Sequence, residues 1–155
     1  MLTTQSISPD FTSPNQDNQP VQLADFRNKK NVLLYFYPKD DTPGCTIEAN
    51  DFTRLVSEFA QLDTVVIGIS KDSCQSHVDF INKYGIQFDL LADSSGEVCE
   101  KFMVWQEKEK DGIKKMGIVR STFFIDKNGT IQIAEYNVNP KGHAQAMLER
   151  VKNII

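Results

Sequence analysis

The run Asn31–Tyr37 and the residues that follow it, Thr42–Glu48, constrain this chain more than any other stretch. The run, Asn-Val-Leu-Leu-Tyr-Phe-Tyr, is apolar, β-branched and aromatic, and predicts a buried strand. Beyond Thr42-Pro-Gly-Cys-Thr-Ile-Glu48, the apolar residues Phe52, Leu55, Val56 and Phe59 recur at helical spacing. The chain therefore turns from strand to helix at Pro43-Gly44, and Cys45 falls at or just inside the helix N-terminus. Unpaired backbone N–H groups and the positive end of the helix dipole there favour a thiolate over a thiol. The thiolate is the nucleophile, so this placement makes Cys45 a candidate reactive cysteine. Free cysteines are commonly small buried fillers, but this one stands in a turn of small and polar residues rather than on an apolar face.

The rest of the chain repeats the alternation. Pro9, Pro14 and Pro20 punctuate a polar stretch over residues 1–26, which predicts an N-terminal hairpin or irregular cap. Strand 31–37 and helix 46–61 follow. Asp63–Ser70 reads as a second buried parallel strand, and Lys71-Asp72-Ser73 supplies cap chemistry for a helix to Tyr84, stopped by Gly85. A short strand, Phe88–Ala92, precedes a helix carrying Val98, Cys99, Phe102 and Met103. Residues 106–116 are charge-rich and read as a solvated loop. Ser121–Asp126 and Thr130–Tyr136, joined through Asn128-Gly129, form a hairpin. A closing helix shows one stripe of Ala144, Met147, Leu148, Val151 and Ile155. The order β-α-β-α-β-α-β-β-α, with parallel strands and a final antiparallel hairpin, predicts a single α/β domain over residues 1–155. Its architecture is a thioredoxin-like three-layer α/β/α sandwich with a mixed central sheet.

In such a sheet, sites form at the carboxyl ends of the parallel strands. Cys45 follows one such end, and Cys74 follows the next. An antiparallel strand begins at the same edge, where Arg120 stands just before residue 121. A guanidinium there favours a thiolate and can donate to a bound oxygen species, and the Thr42 hydroxyl can donate or accept. Composition narrows the partners. The 155 residues are 40% hydrophobic and 25% charged with net charge −4, which gives no reason to expect nucleic acid or an anionic membrane. Three cysteines without framework spacing, no basic-then-apolar leader and no long apolar run predict a cytoplasmic protein. His77 and His143 lack a ligand pattern with the cysteines, so no metal is expected. Without a glycine-rich phosphate loop, no cofactor is expected either.

Pro38-x-x-x-Thr42-Pro43-Gly44-Cys45-Thr46-x-Glu48, with Arg120-Ser-Thr-Phe-Phe-Ile-Asp126 downstream, resembles the peroxiredoxins, and within them the bacterioferritin comigratory protein (PrxQ) group. The likeness spans nearly the whole chain, including Gly68–Ser73 and Val98–Phe102. It implies an antioxidant thiol-dependent peroxidase that reduces hydrogen peroxide and organic hydroperoxides through a Cys45 sulfenic acid. Thioredoxin or a related dithiol would regenerate the enzyme. By the same likeness Thr42 and Arg120 hold the peroxide oxygens, Pro38 shields the sulfur, and Glu48 orients the polar network. The likeness also implies a monomer or weak dimer, the usual state in that group. A carboxylate in the first helical turn also suits the dipole with no further role, so Glu48 has two readings.

The chain departs from that group in one respect. The usual resolving positions hold Asn50 and Ile81 instead of cysteine. Cys99 lies on an apolar helical face and reads as core. Cys74 stays open between a resolving thiol, an inert buried residue and a separate redox role. Without a resolving partner the cycle would need an external thiol. Two other classes compete with the peroxidase. A thioredoxin-class oxidoreductase would want Cys-x-x-Cys, and Cys45 is followed by Ile47 and Glu48. A redox sensor or chaperone would need the same thiolate but no turnover.

Overall fold

Every side chain of Asn31–Phe36 is buried, as in a central strand covered on both faces. The computed structural model describes all 155 residues, Met1–Ile155. In chain order, β1 (Thr12–Pro14) and β2 (Pro20–Gln22) form a small hairpin, followed by a 3-10 turn over Leu23–Phe26. Then come β3 (Asn31–Phe36), α1 (Pro43–Gln61), β4 (Thr64–Ser70), α2 (Cys74–Tyr84), β5 (Asp89–Ala92) and α3 (Glu97–Lys101). β6 (Trp105–Lys110), β7 (Ile113–Ile118), β8 (Ser121–Ile125), β9 (Ile131–Tyr136) and α4 (His143–Ile154) complete the chain.

The main sheet has the order β5-β4-β3-β8-β9. β3, β4 and β5 are parallel, and β8 and β9 are antiparallel additions. Alternation along β3 divides the core in two. Leu33, Tyr35 and Tyr37 face a layer that includes Cys45, Phe52 and Phe59 of α1, Phe80 of α2 and Met147 of α4. Val32, Leu34 and Phe36 face Val98 and Cys99 of α3, Phe102, Val104 and the N-terminal residues Phe11 and Leu23. The fold is thus the expected thioredoxin-like α/β/α arrangement, with one full helical layer. The opposite layer is thinner, made of the single short helix α3 and the N-terminal segment.

Local chemistry sets the boundaries. The Ser73 side chain accepts from the Ser76 N–H at the start of α2, and Gly85 closes that helix at φ 67. The third helix is shorter than its apolar spacing suggests: it ends at Lys101, Phe102 is its C-cap, and Met103 turns to φ 59.

Residues 106–116 correct the sequence reading. They are not a loop but most of an antiparallel hairpin, paired from Trp105↔Ile118 to Lys110↔Ile113. Its outer residues are exposed on both faces, so no alternation of apolar and polar residues marks the strands. The signal lay in Asp111-Gly112, both at positive φ (54° and 77°), a pairing favoured in two-residue hairpin turns.

Gly68 of β4 shows how tightly the helical layer is packed. A Cβ there would lie 2.8 Å from Leu90 Cδ2 and 3.0 Å from the Tyr35 ring, and neither side chain has room to retreat. Gly68→Ala is expected to lower the unfolding free energy by about 1–3 kcal/mol, read as a lower urea midpoint. An unchanged midpoint would mean that the layer relaxes more freely than its packing indicates.

Candidate active site

Pairing of β3 with β8 places the site. Phe36 is opposite Ser121, so the chain leaving β3 at Tyr37-Pro38 passes the chain entering β8 through Arg120. Thr42 is the N-cap of α1 in extended conformation, and Pro43 opens the helix, where a missing N–H costs nothing. The Thr42 hydroxyl does not cap; it donates to Lys39 O at 2.8 Å. The first helical N–H to find a backbone partner is that of Thr46, on Thr42 O at 2.9 Å. The N–H groups of Gly44 and Cys45 are left as donors at the positive end of a 19-residue helix.

Cys45 is 1% exposed. Arg120 Nη2 donates to its Sγ at 3.4 Å, and Nη1 donates to Glu48 Oε1 at 2.6 Å. One guanidinium therefore spans the sulfur and the carboxylate, using the planar fork that an ammonium lacks. Gly44 makes this approach feasible: a Cβ there would lie 3.1 Å from Arg120 Nη2 and 3.3 Å from Pro140 Cγ. Glu48 is fully buried, with Oε2 lacking any partner. Burial pushes its carboxyl up to about 7, although the Arg120 charge pulls the other way. Arg120 is itself held more firmly protonated by Glu48 and Cys45, against the cost of burial.

The structure thus brings Cys45, Glu48 and Arg120 into contact and sets Thr42 at the helix cap. Pro38 lines a groove of about 740 Å³ with Lys71, Trp105 and Lys108. The Lys71 ammonium stands 4.0 Å from the Trp105 ring centroid. Lys108, on β6, is a further neighbour that a loop over residues 106–116 would not bring here. Its ammonium donates to Ile118 O at 2.8 Å and feels both Arg120 and Cys45.

The other two cysteines lie elsewhere. Cys99 is buried against the Asp93 carboxylate, which accepts from its N–H at 2.8 Å, and burial drives its thiol far above the usual range. Cys74 is half-buried, and its thiol donates to Asn15 O at 3.3 Å, beneath the N-terminal hairpin that packs on β5. Cys45 meets Arg120 on the β8 side. All three cysteines are free, and Cys45 and Cys74 have different partners, Arg120 and Asn15.

Residues 5–134 match the family model described as the AhpC/TSA family. The chain is 43% identical over 148 residues to the putative peroxiredoxin bcp of Helicobacter pylori strain J99, covering 96% of this chain and 97% of that one. It is 42% identical over 147 residues to peroxiredoxin Bcp of Bacillus subtilis strain 168, covering 95% and 93%. Among solved structures, a cysteine-to-serine mutant of Xanthomonas campestris peroxiredoxin Q superposes with TM-score 0.91 at 33% identity, covering 98% of this chain and all of that one. The bacterioferritin comigratory protein of X. campestris, described for its alkyl peroxide reduction activity, superposes with TM-score 0.88 at 35% identity, covering 93% and 91%.

Two buried groups give opposing pH dependences. Glu48 ionises near 4.5 in an unfolded chain and near 7 in the fold. The native state keeps the extra proton between these values, so stability falls as pH rises through that window. His143, whose Nε2 shares a 2.8 Å hydrogen bond with Thr122, is driven by burial from 6.5 down to about 4. The unfolded state binds the proton that folded His143 refuses, so stability rises with pH between about 4 and 6.5. Each slope is at most about 1.4 kcal/mol per pH unit, and the two oppose where they overlap. Glu48→Gln is expected to leave the rising slope uncompensated in urea unfolding between pH 4.5 and 6.5. Parallel pH profiles for the variant and the parent would contradict this.

Proposed function

The chain belongs to the AhpC/TSA family and is a thiol-dependent peroxidase of the Bcp/PrxQ kind, and on that premise we propose that Cys45 is its peroxidatic cysteine. The observation that carries the assignment is the Arg120 guanidinium 3.4 Å from a sulfur at a helix N-terminus. The Cys45 thiolate attacks the terminal oxygen of a hydroperoxide. The S–O bond forms as the O–O bond breaks, and the electron pair departs with the other oxygen. That oxygen takes a proton and leaves as water or an alcohol, and Cys45 becomes a sulfenic acid.

The remaining residues divide the work. Arg120 donates to the peroxide oxygens as charge develops on them, while its second arm stays on Glu48, which fixes its plane. Thr42 turns its hydroxyl from Lys39 O to the peroxide, and Pro38 keeps bulk water from the sulfur. Support for the Glu48 role is its burial and its 2.6 Å contact, more than a dipole-matching carboxylate requires.

We assign resolution to an external thiol, with thioredoxin or a related dithiol protein as reductant. Its sulfur attacks the Cys45 sulfenic acid, water leaves, and a mixed disulfide forms; a second thiol then releases Cys45. Asn50 and Ile81 at the usual resolving positions and the engagement of Cys74 with Asn15 support this over an internal disulfide. Residues 1–155 act as one domain. Cys45, Glu48 and Arg120 all come from one chain, so a monomer suffices for the chemistry.

Cys45→Ser is expected to abolish peroxide reduction while keeping the unfolding midpoint. Arg120→Ala should slow Cys45 oxidation in stopped-flow by about a hundredfold or more. Peroxide turnover by the serine variant would remove Cys45 from the reaction. An unchanged oxidation rate in the alanine variant would do the same for Arg120.

A further inference from the structure

The loop that carries Pro38 and Thr42 is fastened from behind by α2, through two consecutive aspartates. Asp40 Oδ1 accepts the Tyr37 hydroxyl at 2.5 Å, and Oδ2 accepts the Ser76 hydroxyl at 2.8 Å. The same Oδ2 lies 2.7 Å from His77 Nδ1. The Asp40 N–H donates to Asp72 Oδ2 at 2.8 Å, and that oxygen also accepts the Ser70 hydroxyl at 2.7 Å. Asp41, at φ 59, accepts from Lys83 Nζ and the Tyr84 hydroxyl, each at 2.7 Å. A non-glycine residue in the left-handed region persists where its surroundings hold it there.

His77 is the buried centre of this fastening; its side chain is 0% exposed and that of Asp40 is 4%. Nε2 lies 2.8 Å from the Leu91 carbonyl oxygen, which can only accept, so Nε2 carries a proton. Nδ1 faces a carboxylate oxygen, so one further proton lies between the ring and Asp40. Both carboxyl oxygens of Asp40 already accept a hydroxyl donor, Oδ1 from Tyr37 and Oδ2 from Ser76, so Asp40 acts as the acceptor throughout. The shared proton therefore belongs to the ring. The titratable groups around it are Asp40 and Tyr37 from the loop and, through the Asp40 N–H, Asp72.

We propose that Asp40 and His77 form a buried carboxylate–imidazolium latch, and that both are positioning residues for peroxide reduction because they fix the loop holding Pro38 and Thr42 beside Cys45. This rests on Cys45 being the reacting thiol. Neither residue touches the sulfur. Asp40 stands two residues from Pro38 and two from Thr42, so a shift at Asp40 displaces both, and small misplacements of orienting groups are costly in rate.

The test uses the full chain with two variants. Asp40→Ala removes the latch. Asp40→Asn keeps its shape: the amide oxygen can accept Tyr37, and the amide nitrogen can donate to a neutral Nδ1 while Nε2 stays on Leu91. With hydrogen peroxide, Asp40→Ala is expected to oxidise Cys45 about tenfold to a hundredfold more slowly than the parent, and Asp40→Asn to recover most of that loss. Nitrogen NMR of the histidine ring near neutral pH should show both nitrogens of His77 protonated in the parent and Nδ1 unprotonated in Asp40→Asn. A folded Asp40→Ala that reacts at the parent rate overturns the latch, and so does an asparagine variant no faster than the alanine variant. A neutral His77 in the parent overturns it too, and that spectrum decides should Asp40→Ala fail to fold. A parent whose Cys45 takes up no oxygen instead overturns the assignment of the reacting thiol.

Discussion

The Arg120 guanidinium, shared between Cys45 and Glu48, is the interaction on which the rest of the site depends. It rests on three things at once. The β3–β8 register must bring Arg120 to the point where the chain leaves β3. The carbonyl of Arg120 must be held, and the Val138 N–H donates to it at 2.9 Å. The absence of a side chain at position 44 leaves room for this approach, since a Cβ would lie 3.1 Å from Nη2 and 3.3 Å from Pro140 Cγ. The Pro-Gly before the cysteine thus does more than turn the chain: proline starts the helix, and glycine makes room for the cation.

Burial makes the arrangement effective and also costly. In low dielectric, a fixed guanidinium acts more strongly on the sulfur and on an incoming oxygen than it would in water. The same burial opposes the charge on Glu48, which is why its carboxyl titrates near 7 rather than in the ordinary range. Beneath α1 lies an aromatic layer of Tyr35, Tyr37, Phe52 and Phe59, in the same buried cluster as Cys45. Tyr35 stacks on Phe52 with centroids 4.8 Å apart, just below the reactive turn. The loop over the sulfur receives a second support from α2.

The strand-to-helix junction was legible because each part has a local cause. A fully apolar run needs both faces covered, a 3.6-residue period needs a helix, and Pro-Gly sets the turn between them. Topology carried Arg120 to the same edge as Cys45, but a strand order cannot give a 3.4 Å contact. The β6–β7 hairpin escaped because it extends into solvent, where neither face selects apolar residues. With it went Lys108, although Asp111-Gly112 was there to be read. The Asp40–His77 pair left no local trace: its members are 37 positions apart, and a buried histidine on an apolar helix face looks like core packing in sequence. Cys74 sits at the helix start that its sequence position suggested, yet its direction, towards Asn15, is a tertiary fact.

The most direct measurement is a peptide map by mass spectrometry after one equivalent of hydrogen peroxide. The expected result is a gain of about 16 mass units on Cys45 alone, with Cys74 and Cys99 unmodified. A loss of about two mass units with Cys45 joined to Cys74 would contradict the external-thiol cycle. First oxidation at Cys74 or Cys99 would contradict the claim that the helix N-terminus and Arg120 together make Cys45 the reactive thiol.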